Sequence, residues 1–386
     1  MDRLAIRRHN LVCPTDLPYD TPMHETYDAG NYPALAEHIS SAATWDDLPA
    51  RKQHSKLKGR LRGAGIAFYL HATGGSVDEQ SEVCAMPNGD IRVRTGIQDN
   101  GQGHRSTLAM VVAEALEVDA NRVRVEQGDT AWLNQGGGTG GSNLMSVVAT
   151  TVHRASLSML KTVAPMAASH LQTSEEKLEY SEGRFSVAET GKSIDLAEIA
   201  LRSIGSNQSP DSEHLEAPAC TGIAEFEGTH TTFPTGACVV EVEIDPDTGA
   251  VQIDRYSGID DLGRVYSDAK ATGQIHGGFA QAAGEVLMEK LVYDDAGQLL
   301  SGSFMDYQIP RASDLPAFNT TLTETDSPNS ILGAKGVGEL TAIGTPGPIH
   351  NAVIDALSEF GVSHLDKPLT PLKIWNAIHA SKANQQ

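Results

Sequence analysis

The chain has 386 residues, enough to bury a substantial core divided over two or three domains. Fifty acidic side chains against 29 basic ones give a formal charge of -21, a field that opposes binding to nucleic acid or to an anionic membrane surface. The ordinary use of such an excess is solubility, and the composition is that of a globular protein.

Four cysteines, Cys13, Cys84, Cys220 and Cys238, lie far apart with no CxxC grouping. An iron–sulfur cluster or structural zinc needs thiolates at short spacing, so no metal ligands are assigned to this chain. Low cysteine usage fits a reducing compartment. The opening MDRLAIRRHNL has a basic patch but no apolar core and does not read as a signal peptide. No window approaches the roughly 20 apolar residues of a membrane span. A cytoplasmic protein is expected.

In chain order, residues 1–60 are broken by Pro14, Pro18, Pro22 and Pro33 and read as a connecting arm with short helices near Pro33–His38 and Trp45–Lys58. Residues 61–205 read as a first α+β subdomain. Its elements are strands at Gly63–Leu70, Asp90–Ile97 and Asn121–Gln127, a helix at Ser106–Val118, and a long helix over Leu144–Leu171 containing Pro165. The order strand, loop, helix, strand predicts a βαβ-like unit with Asp99–His104 in its first loop. A polar stretch near Ser206–His214 reads as a linker. Residues 215–386 read as a second α+β subdomain. Strands Ala237–Ile244 and Val251–Ile259 are joined there by the turn Asp245–Gly249, with helices expected at Gln274–Tyr293, from Pro346, and at Leu372–His379. Thr370-Pro371 is a suitable N-cap and first-turn pair for the last of these.

Three glycine-rich loops precede helices. Gly101-Gln102-Gly103-His104 places backbone amides at a helix N-terminus, where either an anion or a tight turn with no ligand fits. Gly136 to Ser142 packs five glycines into its first six residues, a large entropic cost that a plain loop does not need. A nest of amides around a phosphate does need them, and that reading is preferred to a flexible linker; Thr139 offers a hydroxyl and Ser142 a helix cap. The third loop, Gly333 to Glu339, ends on a carboxylate that either projects into a cleft or is simply solvated.

Other motifs fail on detail. A dinucleotide fingerprint needs glycine or alanine where Ser106 stands, which argues against a nucleotide-cofactor oxidoreductase. The nucleophile-elbow pattern needs glycine at Leu144, and no Gly-Lys-Ser/Thr tripeptide occurs. His71, His153 and His276 lack metal-ligand spacing and read as ordinary hydrogen-bonding residues.

Taken in order, these stretches resemble the molybdopterin-binding large subunit of the xanthine dehydrogenase/aldehyde oxidase family. The resemblance begins at Ile6–Leu11 and Tyr27–Gly30 and continues through Gly101–His104, Gly138–Ser142 and Phe233–Gly236. It then takes in Asp260–Arg264, Gly273–Gly278, Ser303–Tyr307 and Gly333–Glu339. It implies a molybdopterin-binding domain made of two α+β subdomains with glycine-rich loops at helix N-termini. By the same resemblance Gly101, Gln102 and Gly103 contact the pterin, and Thr139, Gly140, Gly141 and Ser142 cradle its pterin and phosphate end. Gln274 touches the pterin and Glu339 is the catalytic base of a hydroxylase that takes its oxygen from water.

The family's large subunit is about twice as long, and this chain matches its second half. The resemblance therefore implies a partner chain supplying the N-terminal half, with [2Fe–2S] and FAD on further subunits. The cofactor is the Mo-pterin, as such or as its cytosine dinucleotide, and the substrate a small aldehyde or N-heterocycle. A truncated, non-catalytic remnant is the alternative. Tyr266-Ser267-Asp268 departs from the Ile-Asn-Pro-like turn of many relatives.

Overall fold

A computed structural model describes residues 2–75, 78–133, 135–204, 218–227 and 231–383. The main strands are β1 (Leu61–Leu70), β2 (Gln80–Ala85), β3 (Ile91–Thr95), β4 (Val123–Gln127), β5 (Thr221–Glu225), β6 (Thr235–Ile244), β7 (Val251–Asp261) and β8 (Phe318–Thr323). The main helices are α1 (Tyr32–Ala42), α2 (Leu48–Leu57), α3 (His104–Leu116), α4 (Ala149–Leu171), α5 (Asp268–Leu287), α6 (Leu340–Gly344), α7 (Pro346–Leu357) and α8 (Pro371–Ala383). The mixture is α+β, as expected. Among the described residues no helix is long and apolar enough to cross a membrane.

Two compact units form. Unit 1 is Met1–Ala72, Phe233–Pro328 and Val337–Gln386; unit 2 is Thr73–Thr232 and Asn329–Gly336. This grouping differs from a division along the sequence because strands pair across it. β1 lies beside β6, and β5 returns to lie beside β2. The stretch Ser206–His214 expected as a linker lies outside the described residues.

The unit 1 sheet has the order β8-β7-β6-β1, with β6 antiparallel to both neighbours and β8 parallel to β7. Side chains alternate along β6 with the period of a strand. Cys238, Val240, Val242 and Ile244 enter a core with Phe279 and Val286 of α5, Ile349 and Val353 of α7, and Ile374 and Ile378 of α8. Ala237 and Val239 face the other way, onto Leu35 and Ile39 of α1 with Trp45 and Leu48. Each fully buried aliphatic side chain contributes roughly 1.5–3 kcal/mol. Residues 1–60 are thus no arm: Leu35 and Ile39, four apart on one helix face, cover one side of the sheet. Arg51 of α2 reinforces this by gripping the buried Glu241 of β6 through two bonds of 2.9 and 2.8 Å. Arg62 of β1 reaches the same carboxylate at 2.8 Å.

In unit 2 the sheet order is β5-β2-β3-β4, and β3 runs parallel to β4 with α3 between them in sequence. That is the expected βαβ unit. α4 packs on β2 and β5 and continues through Pro165 after an initial π-helical turn over Leu144–Val148. Sequence reading missed β2, β5, β8 and α6, and it set α5 six residues too late at both ends.

Gly236 occupies the centre of the unit 1 sheet, opposite Tyr69 of β1 and Asp260 of β7. A methyl group there would overlap both the Tyr69 ring and the Asp260 carboxylate. Its absence lets the Tyr69 hydroxyl donate to Asp260 Oδ1 at 2.9 Å across the middle strand. Asp260 is fully buried, and its Oδ2 has no hydrogen-bond partner among the described residues. Burial pushes its carboxyl up from 3.8 to about 7, against the lowering effect of the Tyr69 bond.

The folded state therefore binds this proton more tightly than the unfolded chain. Its stabilising contribution is full below pH 3.8 and is lost as pH rises toward about 7. Asp260→Asn removes the titration. It is expected to flatten unit 1 stability between these limits and to raise it at pH 8 by about 1–3 kcal/mol, part of the gain being offset by an unpaired amide. Urea denaturation at pH 5 and pH 8 checks this; a variant as pH-sensitive as the parent would refute it.

Candidate functional site

In unit 2 the first two glycine-rich loops come together. The Thr139 hydroxyl donates to the Gln98 carbonyl at 2.6 Å, joining the loop ahead of α3 to the loop ahead of α4. Gly138 and Gly141 have φ of 74° and 58°, in the left-handed region that glycine adopts without penalty. Ser142 shares that conformation at φ 53° and does not cap the helix; Asn143 stands directly before the π-helical turn. Gly136 serves packing rather than ligand binding, since a methyl group there would strike the Gly96 backbone.

The N-terminus of α3 is closed by the chain itself, one of the two arrangements its sequence allows. Asp99 turns its own carboxylate onto it, with Oδ1 accepting from Gly101 N at 2.9 Å and Gly103 N at 3.2 Å, and Oδ2 from Arg105 N at 3.4 Å. Burial acts to raise the Asp99 carboxyl, but these amides outweigh it and hold the group below its usual value. An internal carboxylate thus occupies the position where the sequence offered an external anion. The Gln102 Oε1 atom accepts from Asn100 N at 2.6 Å, closing the same loop.

The third loop enters unit 2 through Asn329–Gly336. Gly336 N donates to Thr73 Oγ1 at 3.3 Å, and a methyl group on Gly336 would overlap the Ser142 carbonyl oxygen. Gly74 N donates to Gly141 O at 3.1 Å. The loop over 138–142 is therefore held from both sides by backbone. Behind it, Asn143 Nδ2 donates to Gly138 O at 3.2 Å, while Asn143 Oδ1 and the Ser146 hydroxyl are buried without hydrogen-bond partners among the described residues. Glu79, also buried, accepts from Thr95 Oγ1 at 2.6 Å and Gly96 N at 3.0 Å, fixing the strand end beneath the loop. No sequence motif pointed to Asn143, Ser146 or Glu79. Their signal is burial of polar groups, which a single sequence does not display.

Unit 1 carries the other two candidates. Gln274 is half-buried on α5. Glu339 directly precedes α6, which is locked to α5: the Thr341 hydroxyl donates to Ile275 O at 2.8 Å, and Gly278 leaves no room for a side chain beneath Thr341. The far end of α6, Gly344, rests on the ring of Tyr69. His71, read from sequence as an ordinary histidine, lies with Nε2 at 3.3 Å from Glu339 Oε2. His276 does fit the ordinary reading, stacked on Phe318 with ring centroids 4.0 Å apart and Nε2 at 3.1 Å from the Thr320 hydroxyl. The Glu339 side chain is 51% exposed, so unit 1 does not itself supply the burial that would tune a general base. At the departure from the family pattern, Tyr266 stacks under Arg264 and Ser267 caps α5 through Lys270 N. Among the described residues no group of three or more His, Cys, Asp or Glu is placed to hold a metal ion.

The donor set fits a polar heterocycle held by a loop. Gly140 has open space where a side chain would stand, its neighbours present backbone groups, and buried polar atoms without partners lie behind. Such atoms are costly unless something satisfies them.

A family model described as molybdopterin cofactor-binding domain matches residues 38–316. The carbon monoxide dehydrogenase large chain of Afipia carboxidovorans is 30% identical, with 97% of this chain and 48% of that protein covered. The nicotine 6-hydroxylase large subunit of Paenarthrobacter nicotinovorans is 29% identical over 96% of this chain and 47% of its own. A crystal structure of the Cu,Mo-CO dehydrogenase in its carbon monoxide reduced state superposes with a TM-score of 0.86 at 29% identity, over 99% of this chain and 50% of that one. The chain spans about half the length of the curated relatives it matches. With the family model covering most of its length, the chain belongs to the molybdopterin cofactor-binding domain family.

Proposed function

We propose that this chain is the cofactor-holding part of a molybdenum hydroxylase of the xanthine dehydrogenase/aldehyde oxidase type. It acts with the polypeptide that supplies the other half of the large subunit. The observation that carries this reading is the backbone-held loop over 138–142, with unpartnered Asn143 Oδ1 and Ser146 Oγ buried behind it. Thr139, Gly140, Gly141 and Ser142 hold the pterin and its phosphate end, as such or extended as the cytosine dinucleotide. Gly101, Gln102 and Gly103 line the pterin, and Gln274 contributes an amide to it. When bound, the molybdenum cofactor supplies the two-electron redox chemistry and the water-derived oxygen of hydroxylation.

Glu339 is the general base. One carboxylate oxygen takes the proton of the oxygen nucleophile, and a hydrogen on His71 Nε2, 3.3 Å from Oε2, donates to the carboxylate and orients it. Because the Glu339 side chain is half exposed here, the covering that desolvates it comes from the cofactor and the other half of the large subunit. The substrate is a small aldehyde or N-heterocycle; nicotine in the name of one relative favours the latter class. The two electrons leave through [2Fe–2S] and FAD on partner subunits. The naming of relatives as subunits of complexes supports an assembly of several polypeptides.

Molybdenum and pterin content test the reading directly. Purified with the subunits encoded beside it, from a host that makes the cofactor, the chain is expected to carry about one equivalent of each, the stoichiometry of a single resident cofactor. No metal in that preparation would leave a folded, non-catalytic remnant. In a loaded complex, Glu339→Gln is expected to lower kcat by about 10²–10⁴-fold, the usual worth of a positioned base, with molybdenum content unchanged. Gly336→Ala acts differently. Its methyl group pushes the Ser142 carbonyl aside, at a strain of about 1–3 kcal/mol, so cofactor content falls while the far-UV circular dichroism stays that of the parent.

A further inference from the structure

Between α5 and β8, unit 1 carries an excursion that its own core does not use. Over residues 291–309 the large apolar side chains of Leu291, Val292, Tyr293, Leu300, Phe304, Met305 and Ile309 are exposed, Phe304 at 83% and Met305 at 92%. Val292, Tyr293 and Leu300 are neighbours in space as well as sequence. Tyr293 bridges Leu299, and Leu300 N donates to Val292 O at 2.7 Å, making a small hairpin. Phe304 and Met305 stand at the tip of the next turn, which is closed by Tyr307 N and Asp306 N on Ser303 O. The base of the excursion is fixed. The Tyr307 hydroxyl donates to Glu289 Oε2 at 2.5 Å just beyond the end of α5, and the Ser301 hydroxyl accepts from Val292 N at 2.9 Å.

An isolated hairpin is marginal in water, and a fixed one that displays this much apolar surface gains nothing until something covers it. Single exposed apolar residues elsewhere in unit 1, such as Leu57 of α2, are ordinary; seven on one short excursion are not. Acidic groups border it: Glu289, Asp294, Asp295 and Asp306 against Lys290 and Arg311.

We infer that the 291–309 excursion is the docking surface for the half of the large subunit that this chain does not span, through an apolar patch on that polypeptide rimmed by basic residues. The inference rests on the functional reading above and on the half-length match to the curated relatives. Phe304 and Met305 are the anchors, being large, exposed and of the types enriched at interface centres. The excursion grows from the end of α5, the helix that carries Gln274, so the polypeptide seated on it is brought to the same unit as a cofactor-contacting residue and the base.

A photo-crosslinking residue at position 304, in the full complex in its own host, tests this, with position 57 on α2 as the exposed control. Crosslinked peptides from 304 are expected to map to a polypeptide matching the relatives' first half, with none from 57. The double variant Phe304→Ser, Met305→Ser is expected to weaken co-purification of that polypeptide by about tenfold or more, as loss of anchoring side chains does. Its melting temperature stays unchanged, because both side chains are solvent-exposed in the chain alone. Crosslinks to a second copy of this chain, to an unrelated protein or to nothing would overturn the assignment, as would undiminished co-purification of the variant. Molybdenum content is measured on the same samples. A complex that crosslinks as expected but holds no metal would sink the catalytic reading and leave the docking surface standing.

Discussion

The backbone of Gly336 lies so close to the carbonyl of Ser142 that not even a methyl group fits between them. Much of the candidate site in unit 2 follows from that contact. It joins two loops almost two hundred residues apart, and Thr73 and Gly74 secure it from the next strand through bonds to Gly336 N and Gly141 O. Thr139 then ties the same loop to Gln98 and so to the approach of α3. Backbone-to-backbone contacts have no rotamers to relax, so the amides and carbonyls of 138–142 are fixed before any ligand arrives. Preorganisation of this kind is what a bound polar heterocycle requires, since ordering the loop on binding would subtract from affinity.

A comparable device operates in unit 1 at Gly236. There the missing side chain lets Tyr69 and Asp260 meet across a central strand, and the Tyr69 ring becomes the surface on which the end of α6 rests. Gly278 repeats the device on α5, under Thr341. The glycines of three separate motifs therefore do structural work that positions chemistry carried by their neighbours. Glu339 is held at the start of a helix pinned at Thr341 and Gly344, and it needs little rigidity of its own.

Those glycines were the legible part of the site. Their order along the chain marked the loops, because clusters of an entropically costly residue ahead of helices are rare without a reason. Strands with period-two alternation, β6 and β7 above all, were legible for the same kind of reason. What escaped notice depends on partners distant in sequence. β5 is recognisable as a strand only beside β2, and β8, with polar Asn319, Thr320 and Thr321, only as the edge partner of β7. α5 was set late because its first turns are interrupted by Gly273 and its second half by Gly277 and Gly278, which weaken a helical pattern that tertiary contacts then restore. Neither the Asp99 carboxylate turned back onto the α3 N-terminus nor the approach of His71 to Glu339 leaves a mark on spacing. The first is a local competition for the helix amides, and the second joins residues 268 apart in sequence.

Two features of unit 1 then point the same way. Glu339, the base under the proposed function, has half its side chain exposed to water. An apolar hairpin in water is a poor investment of folding free energy. Under the functional reading proposed above, one additional polypeptide surface would answer both, covering Phe304 and Met305 and closing water away from Glu339. The relatives' own chains are about twice as long as the stretch matched here. On that reading the exposure of Glu339 and the exposure of the hairpin are answered by one contact, which completes the covering that a general base needs.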